Sequence, residues 1–102
     1  MANIQEARRA LVARILEGEG TAAPSQRRAA FANEGLEEPL QTLVRKVAER
    51  AHSVSDEDVA RALQAGLSED QVFELVICSA VGQATRQFES AFRALEAATA
   101  KG

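Results

Sequence analysis

The stretch AHSVSDEDVARALQAGLSEDQVFEL, residues 51–75, carries two helix starts of the same design. In the first, Ser55 is followed three residues later by Asp58. In the second, Ser68 is followed three residues later by Gln71. Each pair fits a capping box. In this motif the serine hydroxyl accepts a hydrogen bond from a free amide in the first helical turn, and the side chain at the third helical position accepts one from the backbone amide of the serine. The stretch therefore predicts a helical hairpin.

Composition extends this prediction to the whole chain. The 102 residues include 21 alanines and two prolines, and they lack tryptophan and tyrosine. Alanine is the strongest helix former, and strand-type alternation is nowhere sustained. A length of about 100 residues corresponds to one domain. We therefore expect residues 1–102 to form a single all-α domain.

Hydrophobic spacing and helix-stop signals place the predicted helices. They are expected at residues 3–17, 24–33, 37–52, 56–65 and 69–98. The second is expected to be more connector than core, with Gly35 as its stop. Gly66 follows the fourth, where a left-handed residue is favoured. Within the fifth, Gly82 weakens the helix, so a kink or break is expected there.

The fifth predicted helix is apolar around more of its circumference than its partners can cover. Val76, Ile77 and Val81 lie on it beside several small residues. Such a helix needs burial on several sides. Residues 72–95 are therefore predicted to form the contact surface of a homo-oligomer. The alternative is a helical interaction module, in which this helix receives a different protein.

Charge and cysteine usage narrow the possible partners. The chain has 12 basic and 15 acidic residues, a formal net charge of -3, and no basic stripe, so no nucleic acid is expected. Its longest strongly apolar run, residues 76–81, is too short to cross a membrane. A single cysteine and no evident leader predict a cytoplasmic protein. No cofactor is predicted.

The segment VSDEDVARALQAGLSEDQVFELVICSAVGQA, residues 54–84, resembles the carboxymuconolactone decarboxylase and alkylhydroperoxidase D-like superfamily. LQTLVRKVAERA, residues 40–51, looks like the preceding helix of that family. The resemblance implies an orthogonal arrangement of helices, an oligomer and a small-molecule pocket. It assigns residues 1–35 to N-terminal helices and residues 36–98 to the family-like core.

Peroxidase members of that family carry a Cys-x-x-Cys pair, with a His four residues after the second Cys. Counting back from the Ala-Gly at the helix end, these positions fall on Ala51, Val54 and Asp58. The family's assisting Glu falls on Pro39, with Glu38 one residue away. The resemblance therefore implies a family fold without peroxidase activity.

The remaining candidate catalytic residues are His52, Glu38 and Asp58. The decarboxylase branch of the family uses a proton-transferring His, and His52 is the nearest histidine to that position. It could perform acid-base chemistry on a lactone or related small acid, with Glu38 or Asp58 as its partner. The simpler reading is that His52 interacts with carbonyls at a helix end and that Asp58 belongs to an acidic first turn. One histidine without a nearby second soft ligand predicts no metal site.

Three further residues stand out on the fifth helix. Cys78 lies mid-helix among apolar residues and is predicted to be a small buried side chain. Glu74 and Arg86 are charges in apolar or small-residue surroundings, where a charge is usually paired. An ion pair between helices or subunits is the prediction for them, and a ligand-anchoring pair is the alternative.

Overall fold

The computed structural model describes residues 2–100, with side chains from residue 4 to residue 100. Over this range the protein is all-α and contains no strand. The helices are α1 (Ala2–Glu17), α2 (Pro24–Ala32), α3 (Leu40–Arg50), α4 (Asp56–Gln64) and α5 (Glu69–Ala100), with a 3₁₀ turn at Ala51–Ser53. The predicted fold class, all-α with a long C-terminal helix, is confirmed.

Both predicted capping boxes are present. Ser55 Oγ accepts from the Asp58 amide at 3.2 Å, and the Ser55 amide donates to the Asp58 carboxylate at 2.9 Å. Ser68 Oγ accepts from the Gln71 amide at 3.1 Å, and the Ser68 amide donates to Gln71 Oε1 at 2.9 Å. Gly66 has a φ of 106°, a left-handed conformation that side chains disfavour. The α4–α5 hairpin therefore forms as its sequence predicts.

The core lies between the first half of α5 and helices α2, α3 and α4. Its largest fully buried apolar side chains are Leu43 and Val44 of α3 and Leu75 and Cys78 of α5. Ser79 is also fully buried, and its hydroxyl donates to the Val44 carbonyl at 2.7 Å. This bond joins the middle of α3 directly to α5.

Helix α2 is part of the core, so its prediction as a connector was wrong. It packs along α5, and Ala30 is fully buried between them. Its sequence, with two adjacent arginines, is typical of an exposed segment, but Arg27 is itself buried. Helix α2 ends at Ala32 because Asn33 adopts a left-handed φ of 59°, two residues before the predicted Gly35 stop.

Helix α5 is continuous through Gly82, so no break occurs there. The absence of a side chain at Gly82 instead allows α2 to pack close to α5. A Cβ at residue 82 would overlap the Phe31 carbonyl oxygen and lie 2.9 Å from the Phe31 Cα. Real Cβ atoms do not come so close to backbone.

Helix α3 begins at Leu40, three residues later than predicted. The residue before a proline is disfavoured in the helical region, which keeps Glu38 outside the helix. Pro39 then occupies the N-cap position.

Helix α1 runs antiparallel to α5. The Ile15 carbonyl lies 3.8 Å from Cys78 Sγ, and Arg8 packs on Phe88 further along α5. The molecule measures 54 × 29 × 19 Å, and its long axis reflects the 32-residue α5, which spans about 48 Å. Ile4 and Leu11 of α1 remain about half exposed.

Candidate functional site

A surface cleft of about 250 Å³ brings together two of the three predicted catalytic residues. Glu38 and Asp58 line it, together with Pro39, Thr42 and Arg61. The cleft lies where the start of α3 meets α4. In the resemblance, Asp58 and Pro39 occupy the positions of the family's His and Glu. The structure therefore brings Glu38, Pro39 and Asp58 together at one cleft.

Asp58 is buried, and both of its carboxylate oxygens accept hydrogen bonds. Lys46 Nζ donates to both of its carboxylate oxygens at 3.0 and 2.9 Å, and the Ser55 amide and hydroxyl donate at 2.9 and 3.0 Å. The Ser55 amide and then Lys46 outweigh the opposing effect of burial and lower the pKa of Asp58 from 3.8 to about 2. At neutral pH this side chain is an ionised, hydrogen-bonded carboxylate, which makes it a weak general base.

Glu38 has a similar local role at the start of α3. Its Oε1 accepts from the Thr42 hydroxyl at 2.7 Å and from the Thr42 amide at 2.9 Å. The hydroxyl contact, followed by the amide contact, lowers the pKa of Glu38. Both carboxylates in the cleft therefore cap helices.

His52 is exposed in the 3₁₀ turn and is not among the residues that line the cleft. Ala51 and Val54, which the resemblance aligns with the family's cysteines, carry unreactive apolar side chains. The catalytic roles of His52, Glu38 and Asp58 stay predictions. What the structure does show is that Glu38 and Asp58 meet and that their carboxylates have structural partners.

We expect Asp58→Asn to lower the free energy of unfolding at neutral pH, with the difference from wild type shrinking in acid. The folded-state pKa of about 2 is below the ordinary 3.8, so the carboxylate stabilises the fold above pH 3.8. That contribution is lost as pH falls through about 2. Denaturant unfolding of both chains across this range measures it.

Asp56→Asn is the matched control for the Asp58 prediction. Asp56 is exposed and lies in the same first turn of α4. It therefore reports the effect of helix-end charge without the Lys46 contact. An equal decrease in the free energy of unfolding for the two variants would contradict a specific role for the contacts of Asp58 with Lys46 and Ser55.

Cys78 borders a small cavity of about 170 Å³ between α1, α2 and α5. Cys78 is 1% exposed, and burial raises the pKa of its thiol although the nearby Arg27 partly offsets this. A raised pKa leaves little of the nucleophilic thiolate at neutral pH. The structure therefore fits the predicted buried, unreactive side chain.

Glu74 lines the same cavity. It binds the segment that joins α1 to α2, residues 18–23, which we call the α1–α2 connector. Its carboxylate accepts from the Thr21 amide at 3.0 and 2.9 Å, from the Thr21 hydroxyl, and from the Ala22 amide at 3.1 Å. Arg27 donates to the carbonyls of Gly18 and Ile15 at 2.8 and 3.3 Å. These contacts tie residues 15–22 to α2 and α5.

The ion pair predicted for Glu74 and Arg86 is not found among residues 4–100. Arg86 donates to the Phe31 carbonyl at 2.6 Å and to Gln83 at 3.0 Å. Phe31 precedes the end of α2, where carbonyls lack helical partners. Each charge is thus satisfied mainly by main-chain groups. No sequence pattern identifies the main-chain partners, because they lie more than 50 residues away.

A groove of about 490 Å³ separates α1 from the last turns of α5. The Arg8 guanidinium lies 5.1 Å from the Phe88 ring centroid and 3.7 Å from the Glu89 carboxylate. Phe88 and Phe92 stack with centroids 5.9 Å apart. Phe92, Arg93 and Glu89 line the groove, so it combines aromatic and charged groups.

A row of apolar side chains on α5 lies beside this groove and shares Phe88 with it. Its members recur every three or four residues, which keeps them on one side of a helix. This α5 stripe consists of Phe73, Ile77, Ala80, Ala84, Phe88, Ala91, Leu95 and Ala98. Phe73 is 63% exposed and Leu95 is 55% exposed, and the four alanines are also exposed.

The charged residues of α5 within residues 73–98 lie on other sides of the helix. Glu74 and Arg86 bind the connector and α2, as described above. Glu89, Arg93 and Glu96 line the groove against α1. The α5 stripe is therefore free of charge along its length.

Comparison of the chain with protein-family models, with curated proteins and with solved structures finds no match. Within the part of the chain that the structure describes, no group of three His, Cys, Asp or Glu side chains could hold a metal ion. No helix within residues 2–100 is long and apolar enough to span a membrane. The fold and its surfaces define an all-α protein with a long, partly uncovered C-terminal helix.

Proposed function

We propose that this protein is a self-associating helical subunit, related to the carboxymuconolactone decarboxylase-like superfamily and without thiol peroxidase activity. The α5 stripe is the observation that carries the proposal. Monomeric proteins rarely expose a long contiguous apolar surface, and interface cores are depleted of charge. The stripe has both properties. A homo-oligomer would cover it.

The contacts within one chain refine the surface predicted for self-association. Residues 72–95 were expected to form it. Val72 and Leu75 are buried within the chain, so they are not free for a partner. Phe73 and Leu95, on another side of the same helix, are the large exposed residues of α5. The proposed contact is therefore one side of α5 rather than its whole circumference.

The family relationship is supported by the order and local design of the helices. The α4–α5 hairpin contains both capping boxes in the segment that resembles the family. The cleft beside it holds Glu38 and Asp58 at or next to family positions. Ala51 and Val54 replace the redox cysteines, and the one thiol is buried. This combination supports a relative that keeps the scaffold and lacks peroxide chemistry.

Sedimentation equilibrium tests the self-association directly. We expect a mass of at least twice the 10.9 kDa of one chain at micromolar concentration. Because the α5 stripe is apolar, this mass should persist at high salt, whereas contacts between exposed charges are screened. A mass of 10.9 kDa at every concentration would contradict the proposal.

Hydroperoxide reduction with a dithiol reductant tests the chemical part. We expect no turnover above the reagent blank, since Cys78 is buried with a raised pKa and has no partner cysteine in the sequence. Cys78→Ser should behave as wild type. Turnover that disappears in Cys78→Ser would show a one-cysteine peroxidase and overturn this part of the proposal.

A further inference from the structure

We propose that two copies of this chain pair antiparallel through the α5 stripe, with Ala84 on the two-fold axis. This inference rests on the proposed self-association and specifies its geometry. A two-fold contact uses the same surface on both subunits, so each residue must suit its counterpart. The stripe meets this requirement in one register.

In the central layers of that register, large side chains meet small ones. With Ala84 opposite the partner's Ala84, Ile77 faces the partner's Ala91, and Ala80 faces the partner's Phe88. Facing large and small residues interdigitate at close-packed contacts. Phe73 faces the partner's Leu95 at each end of the contact. Alanine at the centre allows the two helix backbones to approach closely.

Other pairings of the same stripe fit less well. In a parallel pair, Phe73 and Phe88 each meet their own copies, which sets large against large. A parallel pair also brings together the two acidic first turns, at Glu69 and Asp70. An antiparallel pair shifted by about one heptad toward the C-terminus opposes Phe88 to Phe88, which again sets large against large.

The stripe alone is smaller than a specific dimer interface, so the proposed contact also includes α1. The stripe covers about 26 residues, or about 39 Å, and at a helix width of about 10 Å it presents roughly 400 Å² per subunit. A pair would bury about 800 Å², whereas specific dimers bury about 1,000 Å² or more. Helix α1 runs beside the stripe, since Arg8 packs on Phe88. Its half-exposed Ile4 and Leu11 supply further apolar area.

A charge exchange tests the register. Phe73→Glu and Leu95→Lys alter side chains that are largely exposed in one chain, so each variant should fold. Each alone places a charge against an apolar residue and should weaken association at least about tenfold. Combined in one chain, the two substitutions face each other across the contact. The double variant should recover the wild-type mass in sedimentation equilibrium.

Disulfide formation at the two-fold axis provides a second readout. In a Cys78→Ser background, Ala84→Cys should oxidise to a covalent dimer, because the closest positions meet there. Ser90→Cys is the matched control, since residue 90 is exposed on α5 and lies outside the stripe. It should cross-link much more slowly.

The outcomes separate the two proposals. A wild-type chain that is monomeric at every concentration overturns both, and the stripe would then fit a different protein. A wild-type oligomer whose double variant stays dissociated, or whose Ala84→Cys and Ser90→Cys variants cross-link equally, overturns the pairing alone. Recovery of mass together with selective cross-linking at residue 84 supports the antiparallel pair.

Discussion

Gly82→Ala is expected to destabilise the protein by about 2 kcal/mol, and Gly82→Val by more, because overpacking against backbone forces helices apart. The added Cβ would overlap the Phe31 carbonyl, so α2 would have to move. Alanine raises helix propensity by about 1 kcal/mol, which acts in the opposite direction. The steric effect should exceed that gain, since main-chain atoms cannot rotate away as a side chain can.

Denaturant unfolding measures the Gly82 effect, and Ser90→Ala is its control. Residue 90 lies exposed on the same helix, where alanine should be neutral or slightly stabilising. Arg86 would report the same displacement, because its hydrogen bond to the Phe31 carbonyl depends on the close approach of α2. A Gly82→Ala protein more stable than wild type would show that glycine is not required there.

Glu74→Ala is expected to cost about 3 kcal/mol, since hydrogen bonds to a charged group contribute about 1.5–3 kcal/mol each and are not additive. The substitution leaves the amides of Thr21 and Ala22 and the Thr21 hydroxyl without their acceptor. It also removes the carboxylate beside the buried Arg27. The α1–α2 connector should then detach from α5 more readily than the core opens.

Hydrogen exchange of the Thr21 and Ala22 amides is the specific measurement for Glu74. Both should exchange faster in Glu74→Ala, whereas core amides near Leu75 should follow only the global loss of stability. Glu74→Gln keeps one carbonyl acceptor and should give an intermediate result. Unchanged protection of Thr21 and Ala22 would contradict the role assigned to Glu74.

The Glu74 contacts also predict a pH dependence. Burial raises the pKa of this carboxyl, but the contacts from Thr21 and Ala22 and the charge of Arg27 together bring it below the ordinary 4.5. The ionised form therefore stabilises the connector above pH 4.5. That stabilisation is lost as pH falls through the lowered pKa, so the same two amides should lose protection in acid.

The two halves of α5 have different roles within one chain. Its first half supplies Leu75 and Cys78 to the core. Its second half continues beyond α2 and α3 and has α1 as its neighbour. A second copy lying along the stripe would contact both halves, which links the proposed self-association to the body of the fold.

Local features of the fold were predictable because their causes lie within a few residues. Ser55 and Asp58 are three residues apart, as are Ser68 and Gln71, so both capping boxes can be recognised from the sequence. The candidate site was only partly predictable. The sequence suggested Glu38 and Asp58, but it did not indicate Lys46, which lies 12 residues from Asp58 and holds its carboxylate.

Long-range partners and the role of α2 were not predictable. Glu74 meets a connector 53 residues away, and no periodic pattern encodes that contact. The glycine at residue 82 was expected to disturb α5, because helix propensity considers a single helix. In the folded chain, the absence of a side chain at Gly82 lets the Phe31 backbone of α2 pack directly against α5.

The sequence by itself determined the all-α class, the α4–α5 hairpin and the apolar excess of α5, since propensity, capping and composition act locally. Only the tertiary structure decided which side of α5 remains uncovered. That choice depends on the directions from which α1, α2 and α3 pack against it. Contacts between distant segments set these directions, and they leave the stripe from Phe73 to Ala98 largely exposed along one side of the helix, with Ile77 and Phe88 half-buried.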